Sequence, residues 1–106
     1  STETVPDFSS RGINNGDFVI EVREVEVAAP GVSVLSTFNN GCYAIGTGTS
    51  MATPHVSGLA AKLWQGNAAS TRTHLQNLAK NHDITLGVHA AVGDDPASGF
   101  GLPQVP

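Results

Sequence analysis

The stretch GTGTSMATPHVSG, residues 46–58, decides how the chain is read. It passes from an extended, glycine-rich approach into a run of small and apolar residues at helical spacing. The sequence predicts a helix over residues 50–65, with Ser50 at its N-terminal tip. A serine hydroxyl is a weak nucleophile that needs a base for its proton and donors for the oxyanion it creates. A helix N-terminus meets the second need, because its unpaired N–H groups carry about half a positive charge. Gly46 and Gly48 lack side chains, which lets a second backbone lie close. Pro54 has no N–H for the carbonyl of Ser50, a loss tolerated near a helix start. A simpler use of Thr49 or Ser50 is as a helix cap. The stretch is not the G-x-S-x-G nucleophile elbow, since Ala52 stands where that motif has its second glycine.

The remainder of the chain bounds the context. At 106 residues it is at most one domain. Forty per cent apolar and 13% charged residues with 12 glycines describe a turn-rich globule rather than a disordered segment. A formal charge of −4 with five scattered Lys and Arg argues against a nucleic-acid surface. No apolar run approaches the ~20 residues of a membrane span. Cys42 is the one cysteine, so no internal disulfide can form. The opening STETVPDFSSRG has neither an initiating Met nor a signal-like pattern, and reads as a chain entered partway.

Along the chain, residues 18–27 alternate with a phase slip near Arg23, predicting one strand with a bulge there or two short strands with a bend. Pro30-Gly31 turns into a strand over residues 32–38. NNG at residues 39–41 turns again into the extended piece CYAIG. In the predicted helix Ala52, Val56, Leu59, Ala60, Leu63 and Trp64 share a broad face, small residues fill much of the rest, and burial is expected. Gly66 is its expected stop. A second helix follows, capped by Ser70 or Thr71, with Leu75, Leu78 and Ala79 inward. Residues 83–106 read as loop. Phe18, Tyr43 and Trp64 are expected in packing, and Cys42 as a buried or half-buried thiol.

GTSMATPHVSG resembles the nucleophile segment of the subtilisin-like serine peptidases nearly letter for letter. FSSRG (residues 8–12), VEVAAPGVSVLST (residues 25–37) and SGFG (residues 98–101) agree with that family in order and spacing. The resemblance covers almost the whole chain and corresponds to the C-terminal part of the catalytic domain, so residues 1–106 read as one portion of it. It implies an α/β fold in which a parallel sheet is flanked by helices, here an incomplete domain. It implies that Ser50 is the acylated nucleophile, with Thr49 supporting the oxyanion site and Gly46, Thr47 and Gly48 forming an edge beside the substrate. Met51 would adjoin Ser50, where oxidation could hamper turnover.

In that family the chain order is Asp, His, Ser. Upstream of Ser50 this sequence has no histidine, so the triad and the oxyanion asparagine are expected from an upstream portion of the same domain. His55 belongs to the motif and is expected to be structural; His74, His82 and His89 read as surface or loop residues. The resemblance implies a secreted endopeptidase acting on peptide or protein substrates, with structural calcium and no cofactor for catalysis. Glu24 and Glu26, alternating on one strand face, and Asp94-Asp95 are the acidic pairs considered for an ion; a solvated face and a turn are their simpler readings. The rival account is a catalytically inert fragment or binding module, including a domain-swapped oligomer, because strands without neighbours expose unpaired edges.

Overall fold

The computed structural model describes residues 3–18 and 23–105. Residues 19–22 of the first predicted strand lie outside them. Its remainder is not a strand: Arg23 has a positive φ of 67°, and residues 24–30 run as irregular chain. β1 (Val34–Thr37) and β2 (Tyr43–Gly46) pair antiparallel, with Val34 opposite Gly46 and Thr37 opposite Tyr43. The connection Asn39–Gly41 is a single 3₁₀ turn with Asn40 at φ 57° and Gly41 at φ 72°. Asn and Gly are the residues that accept this left-handed geometry at low cost. So short a link can only join antiparallel neighbours. Elsewhere Thr4 bridges Leu86 in parallel, with Val5 N–H donating to Leu86 O at 2.9 Å.

α1 spans Thr49–Lys62, one residue earlier than expected at its start and three short at its end. Gly66 (φ 94°) turns the chain toward α2 instead of stopping α1. α2 spans Ala68–Ala79. Its cap is Asn67, whose side chain accepts from Ser70 N–H at 2.8 Å, so neither Ser70 nor Thr71 caps it. Asn67 has the extended backbone a cap requires. Thr71 is buried, its hydroxyl donating to Asn67 O and accepting from Gln65 N–H.

The core sits away from α1. Val5, Ile84, Ala97 and Leu102 form the buried apolar cluster, with Ala28 and Ala90 against it. Leu75 and Ala79 of α2 and Phe100 are also buried. By contrast, α1 has no buried residue, contrary to the expectation of a buried helix. Among the described residues it packs against α2, and Ala52 lies against Gly31. The hairpin is equally bare: Leu35, Tyr43 and Ile45 are 67–71% exposed. Tyr43 and Trp64 therefore do not pack in a core, while Phe18 (38% exposed) meets Phe100 edge-on at 5.0 Å. Cys42 is an exposed thiol, because its turn has no second layer behind it. The radius of gyration, 14.0 Å, exceeds the roughly 13 Å of a compact chain of this length.

Candidate active site

The approach to Ser50 is built by a backbone clasp. Gly48 N–H donates to Gly31 O at 2.7 Å, and Met51 N–H donates to Gly48 O at 3.0 Å. Gly48 has φ 146°, which disfavours any side chain. Gly31 is required by crowding: a Cβ there would stand 2.8 Å from Gly48 O and 3.2 Å from Ala52 Cβ. Thr47 Oγ1 accepts from Ser33 N–H at 2.9 Å, tying the loop to the start of the hairpin. Residues 46–48 thus leave β2 as a tethered extended edge and enter α1 with no side-chain cap.

Ser50 is the second residue of α1 and is exposed. Neither its amide N–H nor that of Thr49 meets an acceptor among the described residues, so both remain available to an anion at the helix tip. The Thr49 carbonyl accepts from Thr53 Oγ1 at 2.9 Å. Pro54 is the sixth helical residue, beyond the first turn, and leaves the Ser50 carbonyl without its helical donor. An open groove of ≈480 Å³ runs between the hairpin and this first turn, bordered by Leu35, Ile45, Gly46, Ser50, Met51 and His55. Met51 is half-buried with its thioether laid against Gly46, where an added Cβ would come within 2.7 Å of Sδ.

His55 does not reach Ser50. Its Nδ1 lies 2.9 Å from Met51 O; a carbonyl only accepts, so Nδ1 carries the hydrogen and the ring closes back on its own helix. His74 lies on α2, His82 pairs with Glu3, and His89 is exposed in a loop. Among the described residues no histidine or carboxylate hydrogen-bonds Ser50 Oγ. The described residues bring together the serine, the helix tip and the extended edge, and bring no base to them.

The acidic residues separate into distinct roles. Glu26 is gripped by both sides of the Arg72 guanidinium and by Gln76 Nε2 at 3.2 Å, which raises the Arg72 pKa above its usual value. That pairing consumes its oxygens and removes it as a cation ligand. Asp95 accepts from Ala97 N–H, Ser98 N–H and Ser98 Oγ, closing a turn in which it also pairs with Gly99. Asp94 instead is buried beside Asp17 and Glu24. Asp17 was not among the sequence candidates, and no local pattern marks it, because Asp94 is remote in sequence.

The chain is similar to known proteins over nearly its whole length. The model of the subtilase family (Peptidase_S8) matches residues 1–101. Subtilisin from Bacillus sp. (strain TA39) is 46% identical over 110 residues, covering 98% of this chain and 26% of that protein. The minor extracellular protease Epr of Bacillus subtilis (strain 168) is 41% identical over 81 residues, 76% of this chain and 12% of that protein. Among solved structures, Sphericase superposes with a TM-score of 0.90 at 50% identity, covering 97% of this chain and 35% of that one. The chain therefore spans 26% of the length of that subtilisin and 35% of Sphericase, consistent with a partial α/β domain. Its fold is subtilisin-like, and the chain belongs to the subtilase family.

Proposed function

We propose that this chain supplies the nucleophile of a secreted serine endopeptidase, and that the base and its orienting acid come from an upstream portion of the same domain. The observation that supports this most directly is the exposed Ser50 at the unpaired tip of α1, on the rim of an open groove. In this reading Ser50 Oγ attacks the scissile carbonyl as an upstream histidine takes its proton. The Ser50 N–H then donates to the oxyanion, assisted by the positive helix end. Thr49, whose carbonyl accepts from Thr53 Oγ1, supports the same end with its hydroxyl. Residues 46–48 lie as an extended edge for the substrate backbone, held by Gly31. Collapse of the tetrahedral intermediate expels the amine, protonated by the same histidine, and water repeats the sequence on the acyl-enzyme.

The exposed hairpin and the uncovered α1 support an upstream portion as the partner, since both offer apolar surface to more polypeptide. A structural calcium ion belongs to this reading as a stabiliser and takes no part in the acyl chemistry. The names of the relatives, an extracellular protease among them, support secretion, and no described helix is long and apolar enough to cross a membrane. The test is peptide hydrolysis by the 106-residue chain alone and by the chain joined to an Asp- and His-bearing upstream segment. The chain alone should give no turnover above background. The joined protein should cleave, and Ser50→Ala should lower kcat by about six orders of magnitude, as loss of the nucleophile does in subtilisin. Equal cleavage by the Ser50→Ala protein would overturn the proposal.

A further inference from the structure

The sequence holds two Asn-Gly pairs, Asn15-Gly16 and Asn40-Gly41. Asparagine before glycine leaves its side-chain amide open to attack by the following backbone nitrogen. Glycine has no Cβ to obstruct that approach, and its backbone turns freely into it. The fold treats the two pairs differently. Asn40 is exposed at the tip of the β1–β2 hairpin, with φ 57° and ψ 31°. Its side-chain amide has no hydrogen-bond partner among the described residues. Gly41 is open as well, since a Cβ added there would meet no atom within 4 Å.

Asn15 is restrained on both sides. Its Oδ1 accepts from Asp17 N–H at 3.3 Å, which folds the side chain over its own turn. Asn14, just before it, is buried and uses its amide on Val25 N–H, Val25 O and Asp94 Oδ1. Gly16, just after it, faces Asp94 O, 4.0 Å from where a Cβ would stand. Backbone rotation at Asn15 therefore pulls on buried bonds. Rotation at Asn40 disturbs only the hairpin tip, which Phe38 N–H to Cys42 O (2.7 Å) and Cys42 N–H to Asn39 O (3.2 Å) close.

We infer that Asn40 is a site of spontaneous covalent modification, converted through Gly41 to aspartyl and isoaspartyl products. The Gly41 nitrogen loses its proton to water, and its electron pair attacks Asn40 Cγ. The N–Cγ bond forms, the Cγ–Nδ2 bond breaks, and Nδ2 leaves as ammonia with a proton drawn from water. Water then opens the ring imide. Opening at Cγ leaves an aspartate side chain at position 40, whereas opening at the backbone carbonyl routes the main chain through Cβ and Cγ. In sum an amide and water become an acid and ammonia, with no change of oxidation state. Either product adds a negative charge, and the second also lengthens the turn by a backbone atom. Leu35 and Ile45, which pair across this hairpin, border the groove beside Ser50, so a lengthened turn loosens that border.

The inference stands apart from the peptidase reading, and its failure would leave Ser50 untouched. The test is incubation of the 106-residue chain in mildly alkaline buffer, with and without guanidinium chloride, followed by mass-spectrometric mapping of both Asn-Gly peptides. In native buffer Asn40 should gain the mass of an amide-to-acid exchange about tenfold faster than Asn15, whose local hydrogen bond and buried anchor must first give way. In denaturant the two rates should converge, because only the shared Asn-Gly chemistry is left. Asn40→Gln keeps an amide but must close a larger ring, and should leave that peptide's mass unchanged over the same period. Equal rates at the two sites in native buffer, or faster conversion at Asn15, overturn the inference. So does a difference that persists undiminished in denaturant, since it would owe nothing to the fold.

Discussion

Glu3 carries a small pH signature that can be read directly. His82 Nε2 donates to Glu3 Oε1 at 3.0 Å, and this bond, ahead of one to the residue's own backbone, holds the Glu3 carboxyl below its ordinary value of 4.5. A depressed carboxyl contributes stability that is present above its unfolded pKa and is lost as pH falls through the folded one. The contribution therefore disappears on acidification below about 4.5. Glu3 is solvent-exposed, so salt should weaken it further. With Glu3→Gln, the thermal midpoint should drop slightly at neutral pH, where the contribution is present, so that its decline on the acid side becomes shallower. Superimposable acid limbs for the two proteins would contradict the assignment. Single residues were also where sequence and structure met most closely. Ser50 at a helix tip was legible because Gly48 and the run of small residues announce the transition locally. The proximity of Asp17 to Asp94 was not, because only the folded chain brings two residues so distant in sequence together.

Among the elements, α2 is the one that stands on its own interactions. Asn67 satisfies Ser70 N–H through its side chain and Thr71 N–H and Oγ1 through its carbonyl. Thr71, Leu75, Gln76 and Ala79 form its buried face. Asn67→Ala removes the side-chain acceptor and leaves the first turn one partner short, a loss of about 1 kcal/mol. Chemical denaturation should show that decrease, and Ser70→Ala should show much less, since its hydroxyl is not the cap. A larger loss for Ser70→Ala would reverse the roles. The sequence placed the helix correctly but its cap three residues late, since Asn, Ser and Thr all compete near residues 67–71. For α1 the misreading was of another kind. Its composition is that of a helix enclosed on nearly every side, yet here it has no buried residue. Composition reports the environment in which a helix works; burial within a chain reports only the surface that chain contains.

Seen whole, the molecule has its buried core outside the hairpin and α1, which hold no buried residue. Val5, Ile84, Ala97 and Leu102 close a small interior, while the hairpin exposes large apolar side chains and α1 has no buried residue. That division explains why the fold class was legible and the layer arrangement was not. The described strands form one antiparallel hairpin, and the subtilisin-like architecture becomes evident only against a solved relative of which this chain covers 35%. It also frames the central claim, that Ser50 is a nucleophile positioned by this chain and activated from outside it. The most direct measurement is mass-spectrometric mapping of a fluorophosphonate adduct on the chain alone and on the chain assembled with an Asp- and His-bearing upstream segment. The account predicts one adduct, on Ser50, in the assembled protein only. An adduct on another serine of this chain, or labelling of Ser50 to the same extent without the upstream segment, would contradict it.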